Sequence, residues 1–205
     1  MRLFTPAQRQ VGCAPTEDIR TWANGITLGR MALGVAVFAT AALEQSAAWN
    51  YAGLALYWAL DMLDGLAARL LDQETRFGAQ LDILVDRLLI SFFYFNLLRG
   101  DPALIAPIIL FLIQFMVLDH YLSNQFLRWP IRSPNYFYAV DERIWLLNWS
   151  PLGKLFNTGF ATLLLLAAPP AVALLGILAV SAVKLYSCVR LHRLPPPAAD
   201  WAPRQ

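Results

Sequence analysis

Asp61-Met-Leu-Asp64-Gly65-Leu-Ala-Ala68-Arg69, then an eight-residue gap, then Gly78-Ala-Gln-Leu-Asp82-Ile-Leu-Val-Asp86 sets four carboxylates in or beside apolar runs. One charged side chain at membrane depth costs at least about 2.5–3.5 kcal/mol, so four need a reason to be there. Asp61 and Asp64 are three residues apart and Asp82 and Asp86 four apart, which puts each pair on one helix face with Cβ atoms about 5–6 Å apart. The short link between the runs makes the two helices antiparallel neighbours, and facing pairs form one cluster. Like charges that close cannot all stay ionised without a cation. Oxygen-only ligands favour hard divalent ions such as Mg²⁺, Mn²⁺ or Ca²⁺, and the absence of Cys and His from the stretch disfavours zinc.

The rest of the chain agrees with a membrane setting. Of 205 residues, 58% are hydrophobic and 15% charged, with mean hydropathy +0.49; a soluble chain has about 25% charged residues. The apolar runs predict an all-α, polytopic membrane protein with six transmembrane helices at about 26–43, 48–71, 78–98, 103–125, 152–167 and 170–191. Pro169 and Pro170 force a tight turn before the last. Arg2, Arg9, Arg20 and Arg30 lie before or just inside the first run, Arg69 and Arg76 around the second link, Arg128, Arg132, Arg143 and Lys154 around the fourth, and Arg190, Arg193 and Arg204 in or near the tail. The other links carry at most one basic residue, so both termini are expected on the cytoplasmic side.

The expected organisation is an N-terminal cytoplasmic or interfacial segment (1–25), a six-helix catalytic domain (26–191) and a disordered Pro- and Ala-rich tail (192–205). The N-terminus reads as a lead-in to a retained first span rather than a cleaved signal, and Thr16–Trp22 as a short interfacial helix capped by Thr16. Cys13 and Cys188 suggest neither a disulfide framework nor a zinc site. A net charge of +2 gives no case for nucleic acid. The aromatic link Trp129–Trp149 reads as a loop lying at headgroup level.

Gly65 and Ala68 clear a helix face for a bulky group, Gly78 leaves room for a neighbour, and the Arg69 fork suits a phosphate or an acidic ligand. Metal and arginine beside an open groove suggest pyrophosphate chemistry, with a free carboxylate to take an acceptor's proton.

The whole stretch resembles the signature of the CDP-alcohol phosphotransferases (CDP-alcohol phosphatidyltransferases), Asp-x2-Asp-Gly-x2-Ala-Arg-x8-Gly-x3-Asp-x3-Asp, at every fixed position and every gap. A chance match is on the order of one in a billion per start position. Asn24-Gly-Ile-Thr27-Leu-Gly-Arg30 is similar to the family's Pro-Asn-x-x-Thr-x-x-Arg, with Ala23 in place of Pro. The resemblance implies a six-helix membrane transferase of phospholipid biosynthesis, with its active site on the cytoplasmic side of the plasma (inner) membrane. It implies that Asp61, Asp64 and Asp82 hold divalent metal, Mg²⁺ or Mn²⁺ and two ions in all, and that Asp86 is the catalytic base and touches the second ion. Gly65, Ala68, Arg69 and Gly78, with Asn24 and Thr27, are implied to shape the CDP pocket. The substrates implied are CDP-diacylglycerol and a small alcohol, with CMP released, and the assembly implied is a homodimer.

Around Thr75-Arg-Phe-Gly78 the chain looks most like phosphatidylinositol synthases and phosphatidylglycerophosphate synthases, which points to inositol, inositol phosphate or glycerol 3-phosphate as acceptor. Acceptor-site candidates outside the motif are Asp119, His120, Lys154, Lys184 and Arg190; for Lys184 and Arg190 the alternative is snorkelling to the surface. Two other classes stay open: a cation-handling transporter and a non-catalytic metal-binding membrane protein.

Overall fold

The computed structural model describes residues 18–195. Among these residues the secondary structure is helical, with no strand, in two compact units, one built from the described residues up to Ile108 and the other from those after it.

The first unit is a three-helix bundle of α1 (Trp22–Leu43), α2 (Ala47–Leu70) and α3 (Arg76–Gly100). Each helix starts on a hydroxyl cap: the side-chain oxygens of Thr21, Ser46 and Thr75 accept from the backbone N–H groups of Asn24, Trp49 and Gly78, filling donors that a first turn leaves open. The two connections are the same device. Gln45 and Asp72 take left-handed φ angles of 51° and 55°, and the next residue's N–H returns to the helix, Ser46 to the Ala41 carbonyl at 3.0 Å and Gln73 to the Ala68 carbonyl at 2.8 Å. These tight stops make consecutive helices antiparallel.

Small residues let the helices close up. A Cβ at Gly34 would lie 2.7 Å from a Leu89 methyl, and one at Gly53 would lie 2.6 Å from the Phe38 ring, the close approach that small residues permit in apolar bundles. Side-chain amides then tie the backbones together: Asn50 Nδ2 donates to the Phe93 carbonyl (3.1 Å) and Asn96 Nδ2 to the Phe38 carbonyl (3.0 Å). At the other end Gln73 Oε1 accepts from the Trp22 N–H (2.9 Å), so the α2–α3 link closes the start of α1.

α4 (Pro102–Arg128) begins in the first unit and continues into the second, with a π-helical turn at Gln114–Asp119. The second unit then holds a 3-10 turn (Pro134–Ala139), α5 (Glu142–Asn148), α6 (Pro151–Ala167, π-helical over Leu155–Phe160) and α7 (Pro170–His192). Pro170 opens α7 where its missing N–H costs nothing. Gly153 is required where α6 meets α5, because a Cβ there would lie 2.6 Å from the Leu146 carbonyl oxygen.

Six of the seven helices fall within about four residues of the six expected stretches, and α5 lies in the link between the fourth and the fifth. Three of them, α1, α4 and α7, are long and apolar enough to cross a membrane. α2 and α3 match them in length at 24 and 25 residues but carry the charged motif, and α6 is shorter at 17 residues.

Two expectations need correction. The short helix capped by Thr16 does not extend into the described residues: Asp18–Thr21 is non-helical, an Asp18 side chain accepts from the Arg20 N–H (2.8 Å), and Thr21 caps α1; Thr16 and Glu17 lie outside the described residues, as does the tail from residue 196 onward. The aromatic link is not simply laid along a surface. Trp129, Phe137 and Trp149 are buried and pack edge-on and tilted in series, with ring centroids 5.4 and 4.8 Å apart. Their gain comes from packing against one another and against the second unit.

Candidate active site

Asp61 and Asp64 descend one face of α2, Asp82 and Asp86 one face of α3, and the antiparallel pairing of those helices brings the four together. Asp61, Asp64 and Asp82 each offer a carboxylate oxygen within 4.8 Å of the others. Oxygens that share a divalent ion at 2.0–2.6 Å lie about 3–5 Å apart, so this all-oxygen set fits a hard divalent cation. The site is graded in exposure: the side chains of Asp61 and Asp82 are 38% and 41% exposed, Asp86 is 24% and Asp64 only 5%.

Arg30 of α1 reaches into the centre of this quartet with no side-chain exposure. Its guanidinium donates to Asp61 through Nη1 and to Asp82 (2.6 Å) and Asp86 (3.3 Å) through Nη2. Nε lies 3.4 Å from Asp64 Oδ2 and makes no hydrogen bond. The Tyr57 ring backs the guanidinium, 5.6 Å from its centroid to Cζ. The Arg30 guanidinium thus faces four carboxylates, with the buried Arg87 of α3 adding positive charge next to Asp86. Thr27, one turn before Arg30, has its hydroxyl 3.1 Å from both Asp64 Oδ2 and the Ala23 carbonyl, one proton between two acceptors.

The glycines of the motif do different work. Gly78 lies against Asn24: a Cβ there would come 2.7 Å from Asn24 Oδ1. Its neighbour is α1, and Asn24 itself is buried, donating through Nδ2 to the Ile19 carbonyl (2.8 Å). A Cβ at Gly65 would meet the Arg69 guanidinium at 3.4 Å, an ordinary contact. Arg69 is exposed and Ala68 half-buried.

The acceptor-site candidates all belong to the second unit and are drawn into separate pairs there. Lys184, 3% exposed, is ion-paired with Asp119. Arg190 forms a two-pronged pair with Asp141 (Nε and Nη2, 3.0 and 2.8 Å). Lys154 is exposed and donates to Asn135 Oδ1 (2.8 Å). The His120 Nε2 lies 3.3 Å from Asn124 Nδ2. Lys184 is held inside the unit, whereas Arg190 is 37% exposed and keeps its carboxylate partner there. Burial pushes the Asp141 carboxyl up, but bonds from Arg190 and from the Ile144 N–H outweigh it and hold the group below the usual carboxylate range.

Two residues carry more than the sequence reading assigned them. Arg30 reads in the sequence as one more cytoplasmic charge, although Asn24, Thr27 and Arg30 recur every three residues and so share an α1 face. Asp141 has no local signal beyond its place before Glu142, where it caps α5.

A family model described as CDP-alcohol phosphatidyltransferase matches residues 20–183, from just before α1 into α7. No curated protein and no solved structure matches the chain.

Proposed function

The chain belongs to the CDP-alcohol phosphatidyltransferase family and is thereby a transferase of substituted phosphate groups in phospholipid synthesis, and from that premise we propose that it transfers a phosphatidyl group from CDP-diacylglycerol to a small polar alcohol. The observation that carries the reading is the convergence of Asp61, Asp64 and Asp82 from two helices onto a space one cation wide. Those three side chains would hold a divalent ion, Mg²⁺ or Mn²⁺, with Asp86 reaching a second, and bound metal would neutralise the charge of the donor's diphosphate.

The alcohol oxygen attacks the phosphorus next to the diacylglycerol. A new P–O bond forms, the bond from that phosphorus to the diphosphate bridging oxygen breaks, and CMP leaves with the electron pair. Asp86 takes the hydroxyl proton. Its supporting feature is that it stands outside the three-oxygen group yet shares Arg30 Nη2 with Asp82. Arg69, exposed beside Gly65 and Ala68, receives the CDP phosphates. Thr27 orients Asp64, and Asn24 holds the start of α1 against Gly78.

The acceptor is inositol, inositol phosphate or glycerol 3-phosphate, with Lys154 the basic residue placed to meet an acceptor phosphate because its exposed amine is held by one neutral partner. In this reading residues 26–191 form one catalytic domain of six membrane-crossing helices, flanked by cytoplasmic segments 1–25 and 192–205, with the site facing the cytoplasm of the plasma (inner) membrane and the protein a homodimer. The alternation of basic and bare links supports the orientation.

The test is an acceptor screen on detergent-purified protein with CDP-diacylglycerol and Mg²⁺ or Mn²⁺, following CMP release with inositol, inositol phosphate, glycerol phosphate, serine and phosphatidylglycerol in turn. Release with one acceptor names the product. No release with any, from folded protein, removes CDP-diacylglycerol transfer to these alcohols as its activity.

A further inference from the structure

We propose that Arg30 is the resident cation of the carboxylate quartet, so that metal uptake is an exchange of cations in which the guanidinium releases Asp61 and Asp82. The proposal rests on the reading that these aspartates hold divalent metal, and adds the residue that competes with it.

Four carboxylates outnumber the positive charges beside them, Arg30 at the centre and Arg87 next to Asp86, and Arg30 has almost no exposure and no other acidic partner among the described residues. It bridges both helices of the motif: Asp61 comes from α2, Asp82 and Asp86 from α3. Without a cation at that point like charges would push the two faces apart. Arg30 therefore holds the two acidic faces of the motif together.

Two of the carboxylates it grips, Asp61 and Asp82, belong to the three-oxygen group that suits a divalent ion. A carboxylate that gives its lone pairs to an ion at about 2.0–2.6 Å cannot keep a short charged hydrogen bond in the same direction. The grip is also incomplete. Nε is buried, points to Asp64 at 3.4 Å and makes no hydrogen bond, so one donor of the fork is already unspent. Tyr57 offers its ring face 5.6 Å from Cζ, a place for the guanidinium once it lets go.

The experiment uses full-length protein in detergent, stripped of metal, with Mn²⁺ alone as the probe. Arg30→Lys keeps the charge and loses the fork, so it isolates bridging from simple attraction; Arg30→Gln removes both. Calorimetric titration should show Arg30→Lys binding Mn²⁺ about tenfold more tightly than wild type, and Arg30→Gln more tightly again. In chelator both variants should melt below wild type, and Mn²⁺ should raise their Tm by more than it raises the wild type's. Equal affinity in wild type and Arg30→Lys overturns the exchange and leaves the metal site standing. No binding in any of the three proteins overturns the metal reading and this proposal together. If the variants do not fold without metal, wild type labelled with ¹⁵N-arginine decides: an Nε–H resonance must shift on saturation with Mg²⁺, and a spectrum unchanged by Mg²⁺ rejects the exchange.

Discussion

Each unit of the molecule sets acidic residues against basic ones, in different proportions. In the first, Arg30 stands against Asp61, Asp64, Asp82 and Asp86. In the second, Lys184 meets Asp119 and Arg190 meets Asp141, one for one. A balanced pair can satisfy itself and serves to fix helices in register. An unbalanced cluster cannot, and its leftover charge is a demand for a partner from outside. The imbalance gives the first unit an acidic cluster that could hold a metal ion, a feature the one-to-one pairs do not have.

Mutations break the comparison in order of size. The largest effect is expected at the cluster: Asp61→Asn or Asp82→Asn should cut CMP release by roughly 10³-fold, because several kcal/mol of charge stabilisation in the transition state goes with the metal. Asp86→Asn should slow turnover by about 10²–10⁴-fold with donor binding largely kept; equal loss of donor binding would make it a ligand first.

The balanced pairs should respond in stability. Lys184→Met takes the buried ammonium away from the Asp119 carboxylate and should cost about 3–5 kcal/mol, read by thermal unfolding in detergent. Adding Asp119→Leu should recover most of that loss. A pair that belonged to the reaction would not regain activity in the double variant, so recovery of both sharpens the contrast.

A smaller effect is expected at Asp141→Asn, about 2 kcal/mol, since the Arg190 side chain is 37% exposed. The pH dependence follows from the sign. The folded carboxyl titrates below its unfolded value, so the pair's contribution is complete above the ordinary carboxylate range and is lost as pH falls through the lower folded value. The gap in Tm between wild type and variant should therefore be constant near neutrality and close only in acid. The smallest structural effect belongs to Lys154→Ala, within about 0.5 kcal/mol for an exposed side chain. A raised KM for a phosphorylated acceptor with unchanged stability would assign Lys154 to substrate, and an unchanged KM would leave it an anchor.

Much of the site was legible because its spacing is helical. Separations of three and four residues put two aspartates on each face, and a short link made the faces meet. The acceptor-side residues were less legible: Lys184 and Arg190 each have a carboxylate partner 65 or 49 residues away, the first buried and the second partly exposed. Pairing over that distance leaves no periodic trace. The aromatic link misled for a related reason, since Trp129, Phe137 and Trp149 have the composition of a headgroup belt and the packing of a small core.

The sequence by itself determined the helical stretches, the two aspartate pairs and the family signature, because periodicity and spacing act along the chain and need no fold to be read. Only the tertiary structure decided that Arg30 faces the quartet, that Gly78 makes room for Asn24, and that the lysine and arginine of α7 are paired. Those facts depend on which helix faces meet, and that choice is made by packing and charge across helices, between residues that the sequence keeps far apart.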